Sequence, residues 1–134
     1  MDDLTKLSGK AWVAVGDMAN WERGFENGIW GIVPELEHHW QKIQKYDLVL
    51  FYCIAPISRL FGAGIIRSKF KQTTPLWKEE VRENRVIWPY RFEFDVIHWI
   101  PLGQWKDLGI DNKNFNLAVL AGLNPVKEFS KAIG

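Results

Sequence analysis

The order of elements legible in this sequence predicts an α+β domain, a small, curved, mixed β-sheet closing toward a barrel, with short helices over its openings. Three observations carry that reading. Leu48 to Ala55 is continuously apolar, as a central strand covered on both faces should be. Arg91 to Asp95 alternates, with Phe92, Phe94 and Val96 on one face, which suits a half-buried strand. The helical stretches are short and irregularly spaced, whereas a doubly wound parallel sheet requires regular alternation of strand and helix.

Taken in order, residues 1–10 are a polar lead-in with Gly9. Ala11 to Gly16 reads as a first strand. Asp17 or Asn20 caps the helix that follows, which places Trp21 and Phe25 one turn apart on one face. Asn27-Gly28 ends it, glycine taking the left-handed position. A second strand runs from Ile29 to Val33 and stops at Pro34. Leu36, Trp40 and Ile43 form one stripe of a second helix. After the 48–55 strand, residues 56–60 make a hairpin-like connection to a return strand, Phe61 to Arg67, continued by Lys69-Phe70-Lys71. Gly62 and Gly64 within it suggest a bulge or a close approach to the backbone. Thr73-Thr74-Pro75 opens an excursion whose residues 76–81 suit one or two helical turns. Residues 86–90 lead into the strand 91–100, and residues 101–114 read as loop. Two short helices are expected over 115–123 and 125–133, Pro125 suiting a helix start. No internal repeat or linker is visible.

At 134 residues the chain suits one domain, large enough to bury most of its unfolded surface. A net charge of +1 gives no global basic field of the kind a non-specific nucleic-acid binder carries. A single cysteine, Cys53, excludes an internal disulfide and a cysteine-based metal cluster. The N-terminus lacks an apolar signal core, and the longest apolar run, 48–56, is too short to span a bilayer. A soluble, cytoplasmic protein with no membrane partner is expected. The unusual feature is eight tryptophans, more than a small core needs, since each indole requires a cavity and a partner for its N–H.

Few residues announce chemistry. His38-His39 are adjacent, which is a poor arrangement for a shared metal on a helix, and His98 suits a structural role at a strand end. No HExxH, GxSxG, P-loop or GxGxxG pattern occurs, so no cofactor is expected. Glu79-Glu80 reads as a solvated turn. Lys6, Lys10, Arg67, Lys69, Lys71 and Lys78 form either a loose basic patch or an ordinary soluble surface. The tryptophans say more. Trp30 lies between Ile29 and Gly31, just past Gly28, and Trp77 lies in a loop. Each is either a plain core residue or the wall of a slot. Aromatic planes hold flipped or single-stranded bases by stacking, while polar groups read the base edge, and aromatic cages suit methyl groups. We expect Trp30 and Trp77 to face one another across a solvent-reaching slot, with Trp12, Trp21 and Trp40 in the core.

Five stretches taken together resemble the EVE domain family of the PUA-like superfamily, related to the YTH readers of N6-methyladenine. They are Asn20-Trp21-Glu22, Gly28-Ile29-Trp30-Gly31-Ile32, the strand Tyr46 to Tyr52, Phe61 to Ile66, and Trp88-Pro89-Tyr90-Arg91-Phe92-Glu93-Phe94. The resemblance covers roughly residues 11 to 125 and implies a single PUA-like domain over 1–134. It implies a module that reads a modified, methylated base in DNA or RNA. By position, Trp30 and Trp77 become cage walls. Gly16, Asp17 and Met18 contact the base edge, Asp17 accepting from an exocyclic amino group. Ser58, Arg59 and Leu60 lie near a third wall, and Lys69, Lys71 and Arg67 contact the nucleic-acid backbone. Such domains also form the DNA-reading N-terminal part of McrBC-type restriction proteins, so a fused or associated GTPase or nuclease is an implied partner. The chain departs from YTH readers in carrying Gly-Asp-Met where they carry Ser and Asn, which leaves the identity of the base open.

Two other functions compete. PUA-like relatives of the ASCH type include hydrolases of modified nucleosides, which need a lysine, a threonine or carboxylate, and a glutamate converging in a pocket. Lys69, Thr73 and Glu79 are the available set. A slot of this kind also suits a peptide or small ligand.

Overall fold

The computed structural model describes residues 7–101, 103–111, 119 and 121–126. Six strands form one mixed sheet: β1 (Ala11–Gly16), β2 (Ile29–Ile32), β3 (Leu48–Cys53), β4 (Arg59–Lys71), β5 (Tyr90–Trp99) and β6 (Leu123–Pro125). Their order across the sheet is β2-β5-β4-β3-β1-β6. β1 and β3 pair in parallel, and every other neighbouring pair is antiparallel. Among the described residues four short helices accompany it: α1 (Met18–Asn27), α2 (Glu37–Lys42) after a 3₁₀ turn, α3 (Lys78–Glu83) and α4 (Trp105–Leu108). The expected α+β class and curved mixed sheet are both present.

The curl follows from one contact. β1 and β2 are separated in the sheet by three strands. Yet a Cβ built on Gly16, at the end of β1, would lie 2.4 Å from Cη2 of Trp30 in β2. The sheet therefore bends into a half-barrel whose two sides meet at this point. Helix α1 crosses its concave side. Asp17 caps it by accepting from the Asn20 backbone N–H at 2.8 Å, and Gly28 closes it at φ +66°, as glycine tolerates. Phe25 of α1 packs edge-on against Phe51, Phe61, Phe94 and Trp99.

The central strands are buried on both faces. Trp12 and Ala14 join one apolar cluster with Val49 and Phe51, while Val13 and Tyr52 join a second with Leu60. That two-sided burial is the reason the sequence of β3 is unbroken by polar residues. Cys53 at its end is buried, and burial, aided by the charge of Asp17, pushes its thiol up to about 11.

Two buried carboxylates organise the ends of the domain. Asp47, fully enclosed, accepts from the Trp12 indole N–H at 2.8 Å, the Gln44 backbone N–H at 2.9 Å and the Ser8 hydroxyl at 2.5 Å. Glu80, equally enclosed, accepts from the backbone N–H groups of Leu76, Trp77, Ile87 and Trp88 at 2.8–3.2 Å. It also pairs with the Arg91 guanidinium at 3.0 Å. Arg91 donates further to the carbonyls of Trp88 and Thr74. The solvated turn read into Glu79-Glu80 is thus correct for Glu79, which is exposed, and wrong for Glu80. The sequence shows the charge but not its partner eleven residues onward.

Other differences are local. β4 begins at Arg59, inside the stretch assigned to the hairpin connection, and runs thirteen residues. Its register with β5 breaks between Ala63 and Gly64, a bulge of the kind its glycines suggested. The excursion helix begins at Lys78 instead of Leu76. Residues 101–114 contain α4, whose Trp105 stacks on Phe61 with ring centroids 3.7 Å apart. Leu123–Pro125 is an edge strand on β1, not the junction of two helices; proline is tolerated there because an edge strand leaves backbone N–H groups unpaired. The rest of the two expected C-terminal helices lies outside the described residues. No helix of the described residues is long and apolar enough to cross a membrane.

Glu80→Ala should lower the unfolding free energy by about 3–5 kcal/mol, because it strands the buried Arg91 charge. Urea denaturation measures this, and Glu79→Ala should change stability by less than about 0.5 kcal/mol. In the native state Cys53 should resist alkylation at pH 8 and react fully once the chain is unfolded in urea, since only the accessible thiolate attacks.

Candidate functional site

A pocket of about 340 Å³ opens where the half-barrel closes on itself. Its lining comes from both sides of the seam. Val15, Gly16, Asp17 and Asn20 come from the β1–α1 corner, and Trp30, Gly31, Ile32 and Val33 from β2. Trp77, Glu79 and Trp88 come from the excursion between β4 and β5, Ile54 from the end of β3, and Ala121 and Gly122 from the approach to β6. The volume falls within the roughly 300–1,000 Å³ of small-ligand sites.

The aromatic wall is a chain of four indoles. Trp21 and Trp30 stack with centroids 3.7 Å apart and planes 8° from parallel. Trp30 meets Trp77 at 5.9 Å and 83°, and Trp77 meets Trp88 at 5.6 Å and 74°. The Arg91 guanidinium lies 4.9 Å over the Trp77 ring. Two glycines make room for this cluster. At Gly16 a side chain would collide with the Trp30 ring, and at Gly31 a Cβ would lie 2.6 Å from Trp88 Cβ and 2.8 Å from the Trp77 ring.

The expected slot between Trp30 and Trp77 is therefore corrected. Their rings touch edge to face, and they are 5% and 1% exposed; each presents a margin to the pocket, not an open face. The reason is that Trp21 takes one face of Trp30 and Arg91 one face of Trp77. Trp12 and Trp21 are buried as expected, whereas Trp40 is only partly buried, its N–H bonded to the Arg91 carbonyl at 2.9 Å. With Trp105, five of the eight tryptophans are buried, so the count of indoles mostly reflects an aromatic core.

Hydrogen bonding separates the four indoles. Trp21 donates to the Tyr52 carbonyl at 2.9 Å and Trp77 to the Asn20 carbonyl at 3.1 Å. The indole N–H groups of Trp30 and Trp88 have no hydrogen-bond partner among the described residues. Since no buried side-chain nitrogen or oxygen is left unpaired, both of their N–H groups reach accessible space. Trp30 and Trp88 both line the pocket.

Of the residues assigned from sequence, the fold brings Gly16, Asp17, Trp30 and Trp77 to the pocket. Met18, on the exposed side of α1, and Ser58, Arg59 and Leu60 are not among the described lining residues. Arg59 instead donates to the Ser58 carbonyl and pairs with Asp111 at 3.9 Å, and Leu60 is buried beside Val13 and Tyr52. Lys69, Lys71 and Arg67 also lie outside the lining. Lys69 donates to the Trp40 and Gln41 carbonyls, Lys71 sits 5.2 Å over the Tyr90 ring, and Arg67 pairs with Asp95. The hydrolase set does not assemble at the pocket among the described residues, since Glu79 lines it and Lys69 and Thr73 do not. His38 and His39 stand with ring centroids 4.1 Å apart, closer than their adjacency suggested. Burial first, then the electrostatic influence of His38 and Lys42, holds the His39 imidazole below its ordinary value. No group of three or more metal-ligating side chains occurs among the described residues.

The lining residues left out of the base-reading assignment are chiefly Asn20, Trp88 and Glu79, the last named only for the hydrolase alternative. Trp88 carried a signal: like Trp77, it flanks the excursion, and it stands before Pro89 at the entry to a strand.

No family model matches the chain, and no curated protein matches it. Solved structures do. The chain is similar to the Pho92 YTH domain in complex with m6A, with a TM-score of 0.53 and 17% identity over 78% of this chain. It spans 63% of that domain's chain, less than two thirds. It is also similar to the YTH domain of Zygosaccharomyces rouxii MRB1 in complex with N6-methyladenosine RNA, with a TM-score of 0.53, 14% identity, and coverage of 92% of this chain and 83% of that one. Protein Atu2648 from Agrobacterium tumefaciens matches with a TM-score of 0.53 and 12% identity over 89% of this chain and 86% of that one. At these identities the likeness is one of fold: the chain has the PUA-like α+β fold of YTH domains.

Gly16→Ala should force Trp30 off its stack on Trp21, lowering stability by about 1–3 kcal/mol as overpacking does. Near-ultraviolet circular dichroism should lose intensity in the tryptophan region. An unchanged spectrum and unchanged stability would contradict the close seam.

Proposed function

We propose that this chain is a nucleic-acid-binding module that holds a methylated base, flipped out or single-stranded, in the pocket at the half-barrel seam. The observation that carries the proposal is the lining itself, where indole margins from Trp30, Trp77 and Trp88 combine with an Asp17 carboxylate at the rim. A flipped or single-stranded base is held by aromatic contact and an edge reader; the half-buried Trp88 with the margins of Trp30 and Trp77 supplies the aromatic wall, and Asp17 the reader. The YTH domains of Pho92 and MRB1, which share the fold, were solved in complex with m6A and N6-methyladenosine RNA, which supports the same class of ligand here. Membership of the EVE family, a GTPase or nuclease partner and a cytoplasmic location belong to this proposal through the motifs quoted above. So do backbone contacts by Lys69, Lys71 and Arg67, and flanking contacts by Met18, Ser58, Arg59 and Leu60.

A panel of DNA and RNA oligonucleotides, unmodified or carrying N6-methyladenine or 5-methylcytosine, tests the reading by fluorescence polarisation. Methylated strands should bind tighter than unmodified ones. Trp88→Ala and Trp30→Ala should each weaken binding about tenfold or more, since each removes part of the aromatic wall and base–aromatic contact contributes roughly 1–3 kcal/mol. Asp17→Asn keeps a good helix cap and should relax discrimination among bases. Lys71→Ala should weaken all strands alike and flatten the salt dependence. If both tryptophan variants remain folded and keep wild-type affinity for every strand, the pocket is not the base site.

A further inference from the structure

We propose that the pocket prefers a positively charged, ring-N-methylated base to its neutral methylated isomer, and that Asp17 and Glu79 set this preference. The inference rests on the base-binding reading above.

Among the described residues, the charge at the pocket is one-sided. Among its described lining residues the ionisable groups are Asp17 and Glu79, and none is lysine, arginine or histidine. Arg91 lies over Trp77, but its charge is already matched by Glu80 and by the Trp88 and Thr74 carbonyls. The enclosed carboxylates Asp47 and Glu80 are surrounded by donors. The two at the pocket are not. Asp17 spends Oδ1 on the Asn20 N–H, and Glu79 accepts no hydrogen bond from a described residue. A pocket carrying two such anions disfavours a phosphate and any ligand edge made of acceptors alone. It favours ligands that bring donors or positive charge.

The ligand chemistry follows from that charge. Methylation at a ring nitrogen of adenine or cytosine gives a planar, delocalised cation that keeps the shape of a base and is drawn to the two carboxylates. Methylation at an exocyclic nitrogen or at carbon leaves the ring neutral, with only stacking and edge hydrogen bonds to offer. The accessible N–H groups of Trp30 and Trp88 are donors suited to a ring acceptor or a carbonyl oxygen that such a cation retains.

Matched nucleoside pairs separate charge from shape. Binding to the wild-type protein is followed by tryptophan fluorescence and calorimetry at neutral pH. The pairs are 1-methyladenosine against N6-methyladenosine, and 3-methylcytidine against 5-methylcytidine. The cationic member of each pair should bind about tenfold tighter, and rising salt should narrow the gap. In Glu79→Gln, and further in Asp17→Asn/Glu79→Gln, the ratio of affinities within each pair should fall toward one. Circular dichroism establishes that both variants are folded. Equal or tighter binding of the neutral members overturns the charge preference and leaves the base-binding reading standing. A ratio that survives both substitutions overturns the roles of Asp17 and Glu79. If no nucleoside and no methylated oligonucleotide binds, or if a trimethyl-lysine peptide binds tighter than all of them, the base-binding reading falls and this inference with it.

Discussion

The pocket depends on one buried ion pair. Glu80 and Arg91 are separated from water, 3.0 Å apart, and between them engage four backbone N–H groups and two carbonyls of the excursion between β4 and β5. A buried carboxylate is costly unless its lone pairs are filled; here they are, by N–H groups on both sides of a helix too short to be stable alone. The pair therefore gathers the two ends of the excursion at one point, and those ends carry Trp77 and Trp88. Arg91 belongs to β5, whose partner β2 carries Trp30 and Gly31. One electrostatic constraint thus ties both ends of the loop to the rigid sheet, and places its indoles against the seam.

The seam is a packing solution to a curled sheet. Because Gly16 and Gly31 lack side chains, the rings of Trp30 and Trp77 approach the backbone at van der Waals distance, and the half-barrel closes without filling its mouth. What remains is a space with aromatic margins and an acidic rim. The same indoles serve core and pocket at once, which is why the stacked Trp21–Trp30 pair is both structural and adjacent to the binding surface.

Much of the fold was legible because its strands are chemically unambiguous. β3 is apolar throughout, β5 alternates at its start, and Asp17 and Gly28 mark the ends of α1 by residue types that caps require. β6 was not legible, since three residues including a proline offer no periodicity. α4 was hidden by a loop-like composition, its position set by Trp105 stacking on Phe61. The site was legible in part. Trp30, Trp77, Gly16 and Asp17 belong to motifs with a recognisable order. Glu80 was misread because a buried and a solvated glutamate look alike until the partner arginine is brought alongside, and the edge-to-face contact of Trp30 with Trp77 depends on neighbours distant in sequence.

The central claim is that a methylated base enters the seam pocket. The most direct measurement is the set of indole N–H resonances in a ¹⁵N–¹H correlation spectrum during titration with a methylated oligonucleotide. Trp30 and Trp88, whose N–H groups are accessible, should shift strongly, while the signals of Trp12 and Trp105, bonded to Asp47 and to the Ile100 carbonyl, should stay in place. Binding that leaves the Trp30 and Trp88 signals unmoved, and instead shifts the backbone amides around Lys69 and Lys71, would contradict the account.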